Sequence, residues 1–360
     1  MRTQGATERT HMMGTQLRRV QEVAGTRVKT TLLGALCAVA GLVSLAHLAT
    51  AQNEIGVQRV ATSSGTFLKI GLDARVAALG GAYAAIVNGP QATFSNPAGV
   101  ITATGLPAAN VSYVRWLADI GIGSASFSRP VSSFGGQVAI GFAFLSTDFP
   151  ETTEFYPQGT GRTVSYSDFL ASISFSRLFT DRLAIGVTAK LLREEMGTGV
   201  GGPTTTGALF DAGTVYSLGY RNGKIAIALS HFGPDLKPTG SYFSNVTGAE
   251  VDYTAYSPPT SFHLGFAMDP WIAGPHRLTM VTQVVHPADQ NESLLFGTEY
   301  WFQDSYSLRA GYDFAADELG FSAGFGFKVR FSGQEAVFDY AFTEGGNLDA
   351  VHRIGLGFGL

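Results

Sequence analysis

The chain is short of three things that most proteins have. It holds a single cysteine, Cys37, in 360 residues. That residue falls in a leader-like stretch, so the rest of the chain offers no disulfide and no thiolate metal site. Charged residues make up 14% of the sequence, against about 25% in an ordinary soluble domain. Beyond residue 51 no apolar run approaches the roughly 20 residues of a membrane helix. Histidine is also sparse. His231, His263, His276, His286 and His352 follow the leader, and none is spaced from another as metal ligands are. The net charge of −4 gives no basic surface to attract nucleic acid. These shortages lead us to expect no enzyme, no metal and no cofactor.

What is plentiful is glycine, at 45 residues, and phenylalanine, at 26. A chain this apolar, glycine-rich and aromatic, with no spanning helix, points to strands in a bilayer. The N-terminus supplies a route there. Arg27 and Lys29 precede an apolar run over 31–49, and Ala49-Thr50-Ala51 offers small residues for cleavage before Gln52. We expect residues 1–51 to be a removed signal peptide and the destination to be a bacterial outer membrane.

From residue 106 onward the sequence alternates with a period of two. Fourteen segments of about 10–15 residues fall between 107 and 360, the signature of a transmembrane barrel. Phe321, Ala323, Phe325, Phe327, Val329 and Phe331 share one face, while Ser322, Gly324, Gly326, Lys328 and Arg330 share the other. The long connections, 149–162, 195–205 and 233–258, follow the third, fifth and seventh segments, so all belong to one end. The turns after even segments are mostly short, as at Gln303-Asp304. Short turns at one end and long loops at the other are the pattern of outer-membrane barrels. The expected fold is an all-β transmembrane barrel of about 14 antiparallel strands, formed by residues 106–360.

The stretch 67–100 breaks this alternation. Leu72, Val76, Leu79, Tyr83 and Ile86 recur at helical steps amid a crowd of alanine and glycine. Small residues let a backbone run close to surrounding walls, so residues 52–105 are expected to be an N-terminal arm followed by a compact insert that strands wrap around. Within it, Ala74, Arg75, Ala78, Gly80, Gly81 and Ala82 are followed by Asn96, Pro97, Ala98 and Gly99. This arrangement resembles the start of the PorV/PorQ family, which is similar to the FadL-type outer-membrane transporters of hydrophobic compounds. The resemblance implies an N-terminal hatch, or plug, inside a barrel of fourteen strands. An acidic pair common between the two motifs in the family is replaced here by Val87-Asn88-Gly89-Pro90.

Two sets of residues outside the plug motif stand out. The inner faces carry Lys190, Asp211, Glu299, Arg309, Asp313, Lys328, Arg330, Asp339 and Arg353. Buried charges need partners, so Glu299 with Arg309, and Asp339 with Arg353, are expected to pair and fill the lumen. Ser261 and His263 share a face, but neighbours two apart on a strand do so by geometry alone. The loop over 233–258 holds Tyr242, Phe243, Tyr253 and Tyr256, and aromatic residues are common interface anchors. The PorV/PorQ resemblance implies a component of type IX protein secretion and surface attachment, whose partners are exported proteins and other secretion components. The wider FadL similarity implies passive uptake of a hydrophobic small molecule. Outer-membrane lipid is the expected surrounding in either case.

Overall fold

The computed structural model describes residues 63–101, 106–198, 200–244, 246, 248–331 and 333–359. The leader expected over 1–51, its cleavage site and most of the arm before the plug lie outside the described residues.

Every alternating segment becomes a strand: β1 (Ala108–Arg115), β2 (Gly121–Val131), β3 (Gly136–Pro150), β4 (Thr163–Leu178), β5 (Leu183–Thr198), β6 (Thr204–Ser217) and β7 (Lys224–Phe232). After an excursion they resume with β10 (Ser261–Ala273), β11 (His276–Pro287), β12 (Ser293–Phe302), β13 (Tyr306–Asp313), β14 (Phe321–Phe331), β15 (Gln334–Thr343) and β16 (Val351–Gly359). The excursion is a separate hairpin of β8 (Ser241–Ser244) and β9 (Ala249–Asp252). Four-residue strands give too little alternation to be seen in the sequence, so this region was expected only as a loop.

The fourteen long strands form one closed antiparallel barrel. β1 pairs with β16 from Ala108 opposite Gly359 to Arg115 opposite His352. Closure leaves no strand edge with unpaired backbone groups, a requirement for any sheet in hydrocarbon. The connection expected over 195–205 is shorter than the sequence suggested. β5 and β6 keep their ladder as far as Glu195 opposite Thr204, above the apolar part of the strands.

The alternation sorts the side chains between two surroundings. Outside, Phe142, Phe144, Phe169, Ile173, Leu264, Leu308, Phe325, Phe327, Ile354 and Leu356 are all exposed. Inside, the facing residues are buried and small or polar: Ser124, Ser126 and Ser128 on β2, Ser172, Ser174 and Ser176 on β4. A soluble barrel has the opposite arrangement. The exposed apolar area far exceeds the few hundred Å² usual on a soluble monomer's largest patch.

The barrel interior is occupied by residues 63–101. The Asp73 side chain accepts the Val76 backbone N–H at 2.9 Å and starts a single helical turn, Ala74–Ala77. The longer helical period in the sequence is not realised. Gly80 and Gly81 take φ of 67° and 82°, which reverses the chain at the point where a helix would continue. Two short 3₁₀ turns follow, Pro90–Phe94 and Pro97–Val100, each opened by its proline. The first helical turn packs against β14, β15 and β16, and the last turn against β4, β5 and β6. Wall glycines make this approach possible. A Cβ on Gly297 would lie 2.7 Å from the Leu79 carbonyl oxygen, and one on Gly80 would lie 2.6 Å from the Tyr312 nitrogen.

Candidate functional site

The interior segment is tied to the wall by charge. Arg75 donates from Nε and Nη2 to the two carboxylate oxygens of Glu299, each at 2.8 Å. Glu299 also accepts from Arg309 Nε at 2.7 Å, and Arg309 Nη1 reaches Asp339 at 2.6 Å. The result is one chain of four alternating charges running from the segment through β12, β13 and β15. Glu299 and Arg309 meet because they are directly opposed across β12 and β13. Burial works against the Arg75 guanidinium, but the facing Glu299 carboxylate outweighs it and holds its pKa above the ordinary arginine value.

The pairing expected between Asp339 and Arg353 does not occur. The register places Gly355 opposite Asp339 and Ala341 opposite Arg353, so the two side chains sit at different heights. Arg353 instead donates to the Gly71 carbonyl oxygen at 2.9 Å and to Thr343 at 3.0 Å, with its guanidinium 5.5 Å from the Trp116 ring centre. Arg330 has the inward parity but not the burial. Its side chain is 68% exposed at the end of β14, where it and Lys328 share Glu335. Asp313 accepts from Ser293 and from the Ala315 N–H. Lys190 and Asp211 form a fully buried ion pair.

The remaining motif residues are structural joints. Asn96 donates to the Ala84 carbonyl oxygen at 2.7 Å and accepts the Ala98 N–H at 3.1 Å. The Ala98 carbonyl accepts from Ser176 at 3.1 Å, and the Gly99 carbonyl accepts the Gly89 N–H at 2.9 Å. Pro97 packs against β5 and β6 at Gly186 and Gly213. Ala74 lies in a small buried cluster with Ala77, Ala78 and Ala341.

Sequence reasoning missed two groups. Trp301 is buried, with Arg277, Arg309 and Lys328 each 5.5–5.7 Å from its ring centre. Its inward parity among charged neighbours was the available signal. The second group borders a cavity of about 330 Å³ between the segment and the wall. Phe67, Leu72, Phe94, Leu170, Val285 and Leu295 give it an apolar lining, and Pro259, Pro287, Gln290 and Asn291 border it near the long-loop end. Tyr83, Ser261, His263 and Gln283 supply polar atoms. The volume lies at the lower end of the usual range for small-molecule pockets, about 300–1,000 Å³. The outer aromatics stand apart from this cavity. Tyr242 and Tyr253 pack with ring centres 5.4 Å apart on the hairpin, Phe243 is 67% exposed, and Tyr256 pairs its backbone with Leu236.

No protein-family model matches the chain, and no curated protein matches it. Solved structures do. A mutant of the TodX monoaromatic hydrocarbon channel is similar at a TM-score of 0.55 and 16% identity, over 80% of this chain and 98% of that one. The Ralstonia pickettii toluene transporter TbuX is similar at a TM-score of 0.50 and 12% identity, over 80% of this chain and 97% of that one. At such identities the likeness is one of fold: this is a closed fourteen-stranded antiparallel barrel similar to those two structures.

Proposed function

We propose that the chain lies in a bacterial outer membrane and passes hydrophobic small molecules, with residues 63–101 acting as the plug. The observation that carries this reading is the apolar cavity between that segment and the wall. A segment serving only to fill the lumen has no need of such a space. The apolar exterior supports the membrane setting, and the two solved neighbours described above are a hydrocarbon channel and a toluene transporter. The test is uptake of a hydrophobic fluorescent dye by cells whose outer membrane lacks its own hydrophobic channels. Expression of this chain should accelerate uptake. A folded, outer-membrane-inserted protein with no acceleration overturns the reading.

A second reading, a component of type IX secretion and surface attachment, rests on the PorV/PorQ sequence motifs, and no structural relative described above carries it. The one feature that favours it is the exposed aromatic hairpin with Tyr242, Phe243 and Tyr253, together with Tyr256 at its base. Changing these four to alanine should lower surface display of exported proteins if they anchor a partner, and leave it untouched if the barrel is a channel only.

A further inference from the structure

The hydrogen-bond donors around the cavity can be assigned one by one. Gln283 Oε1 accepts the backbone N–H of Tyr83 at 3.0 Å and of Ala84 at 2.8 Å. That fixes the amide orientation, so its Nε2 faces His263 Nδ1 at 3.2 Å. An amide nitrogen only donates, so Nδ1 must accept, and the proton of the neutral imidazole sits on Nε2. His263 Nε2 lies 2.8 Å from Ser261 Oγ and 3.0 Å from the Tyr83 hydroxyl. It donates toward them. A serine activated as a nucleophile needs the reverse, with the imidazole accepting the serine proton, so this pair is not an acyl-transfer site. The Ser261 hydroxyl proton cannot go to His263, and no other acceptor for it is found among the described residues. Ser261 borders the cavity.

Charge narrows the choice of occupant. Lys69 is the one ammonium among the described residues lining the cavity, and it is paired with Asp289, which also accepts from Ser63. Asp73 and Asp313 line the same space. A carboxylate ligand would meet two acids and a cation already neutralised. A neutral molecule with an oxygen acceptor would meet a largely apolar wall and the Ser261 O–H, whose proton His263 does not take.

We propose that this cavity selects neutral apolar molecules bearing a single oxygen acceptor, such as phenols or ketones, with Ser261 as the donor, and that it turns away carboxylates. The proposal rests on the channel reading above. Titration calorimetry on the purified full-length protein in detergent tests it with three ligands of one shape: toluene, 4-methylphenol and 4-methylbenzoate. The wild type should bind 4-methylphenol about fivefold more tightly than toluene, the effect of one net hydrogen bond. Ser261→Ala should erase that difference without changing toluene affinity, and Ser261→Thr should keep it. Binding of 4-methylbenzoate should be at least about tenfold weaker than that of 4-methylphenol, and Asp289→Asn, by freeing Lys69, should strengthen it. Equal affinities for toluene and 4-methylphenol, unchanged by Ser261→Ala, would overturn the selectivity and leave the channel standing. So would benzoate binding as strong as that of the phenol. Failure of all three to bind a folded barrel would overturn the cavity as a ligand site, and with it the channel reading.

Discussion

Replacing Arg75 by glutamine should loosen the interior segment and leave the barrel intact. The guanidinium makes two hydrogen bonds of 2.8 Å to a carboxylate that is only 2% exposed. Hydrogen bonds to charged groups are worth about 1.5–3 kcal/mol in net terms. The change does not strand a charge, because Glu299 keeps its bond to Arg309 at 2.7 Å. The cost should therefore fall on docking of the segment. At about 1.4 kcal/mol per tenfold, the open form should become roughly 10- to 150-fold more populated. Amide hydrogen exchange read by mass spectrometry would show this in peptides spanning 76–87. There the Ala78 and Ala84 amides bond to Ala74 and Gln283. Exchange in those peptides should accelerate by that factor while β11 and β12 stay protected. Unchanged exchange in the segment would refute the argument. Acceleration of segment and strands together would mean that Arg75 holds the barrel closed and not the segment in place.

Phe325→Arg, on an exposed outer face of β14, should destabilise the inserted barrel by about 2–4 kcal/mol in a refolding titration, whereas Gly357→Ser, with nothing closer than 3.7 Å to a new Cβ, should cost less than about 0.5 kcal/mol. Equal costs would mean that the faces are wrongly assigned. Gly326 is a poor inward control, because a Cβ there would lie 2.8 Å from both Arg309 Nη1 and Ser307 Oγ. Gly297→Val should drive the wall into the Leu79 backbone, displacing the segment and altering dye uptake in cells; normal uptake and normal exchange over 78–82 would contradict the packing described. Glu299→Ala leaves Arg75 and Arg309 facing each other in a buried site and should cost about 3–5 kcal/mol, visible as a lowered midpoint in the same refolding titration.

The barrel was legible because its physics is periodic. Outward Phe321, Phe325 and Phe327 and inward Ser322 and Gly324 announce two surroundings without any knowledge of partners. β4 runs from Thr163 to Leu178, the bounds that alternation and the flanking turn residues suggest. The interior was legible in parts. Glu299 and Arg309 flank a short connection, closed over residues 303–305 with Phe302 opposite Tyr306, so little room is left for their register to vary. Asp339 and Arg353 belong to strands joined by a longer connection, where a shift of two residues passes unnoticed in the sequence, and their pairing was misjudged. The helical spacing of Leu72, Val76 and Leu79 reflects burial on several sides and not a helix, because Gly80 and Gly81 reverse the chain there. Of the cavity network, the shared face of Ser261 and His263 was legible, but not their link to Tyr83 and Gln283. Ser261, His263 and Gln283 meet across the β10–β11 hairpin, but Tyr83 reaches them only because the interior segment packs against that wall.

The way the interior segment touches the wall bears on the order of biogenesis. Gly71 accepts from Arg353, 282 positions further along the chain, and the turn at Ala74–Ala77 packs on β14, β15 and β16. The earliest part of the described chain therefore finds its partners among the last strands of the barrel in chain order. It cannot settle until those strands are in place. Nor can a finished barrel easily admit it, since the backbone at Leu79 and Gly80 fits flush against wall glycines with no clearance for side chains to slide past. The segment and the closing seam of β1 and β16 must mature together, with the segment serving as the mandrel on which the last strands are wound. A lesion at Gly71 or Ala74 should accordingly show itself first as chains stalled before closure, and only later as a fault in the finished barrel.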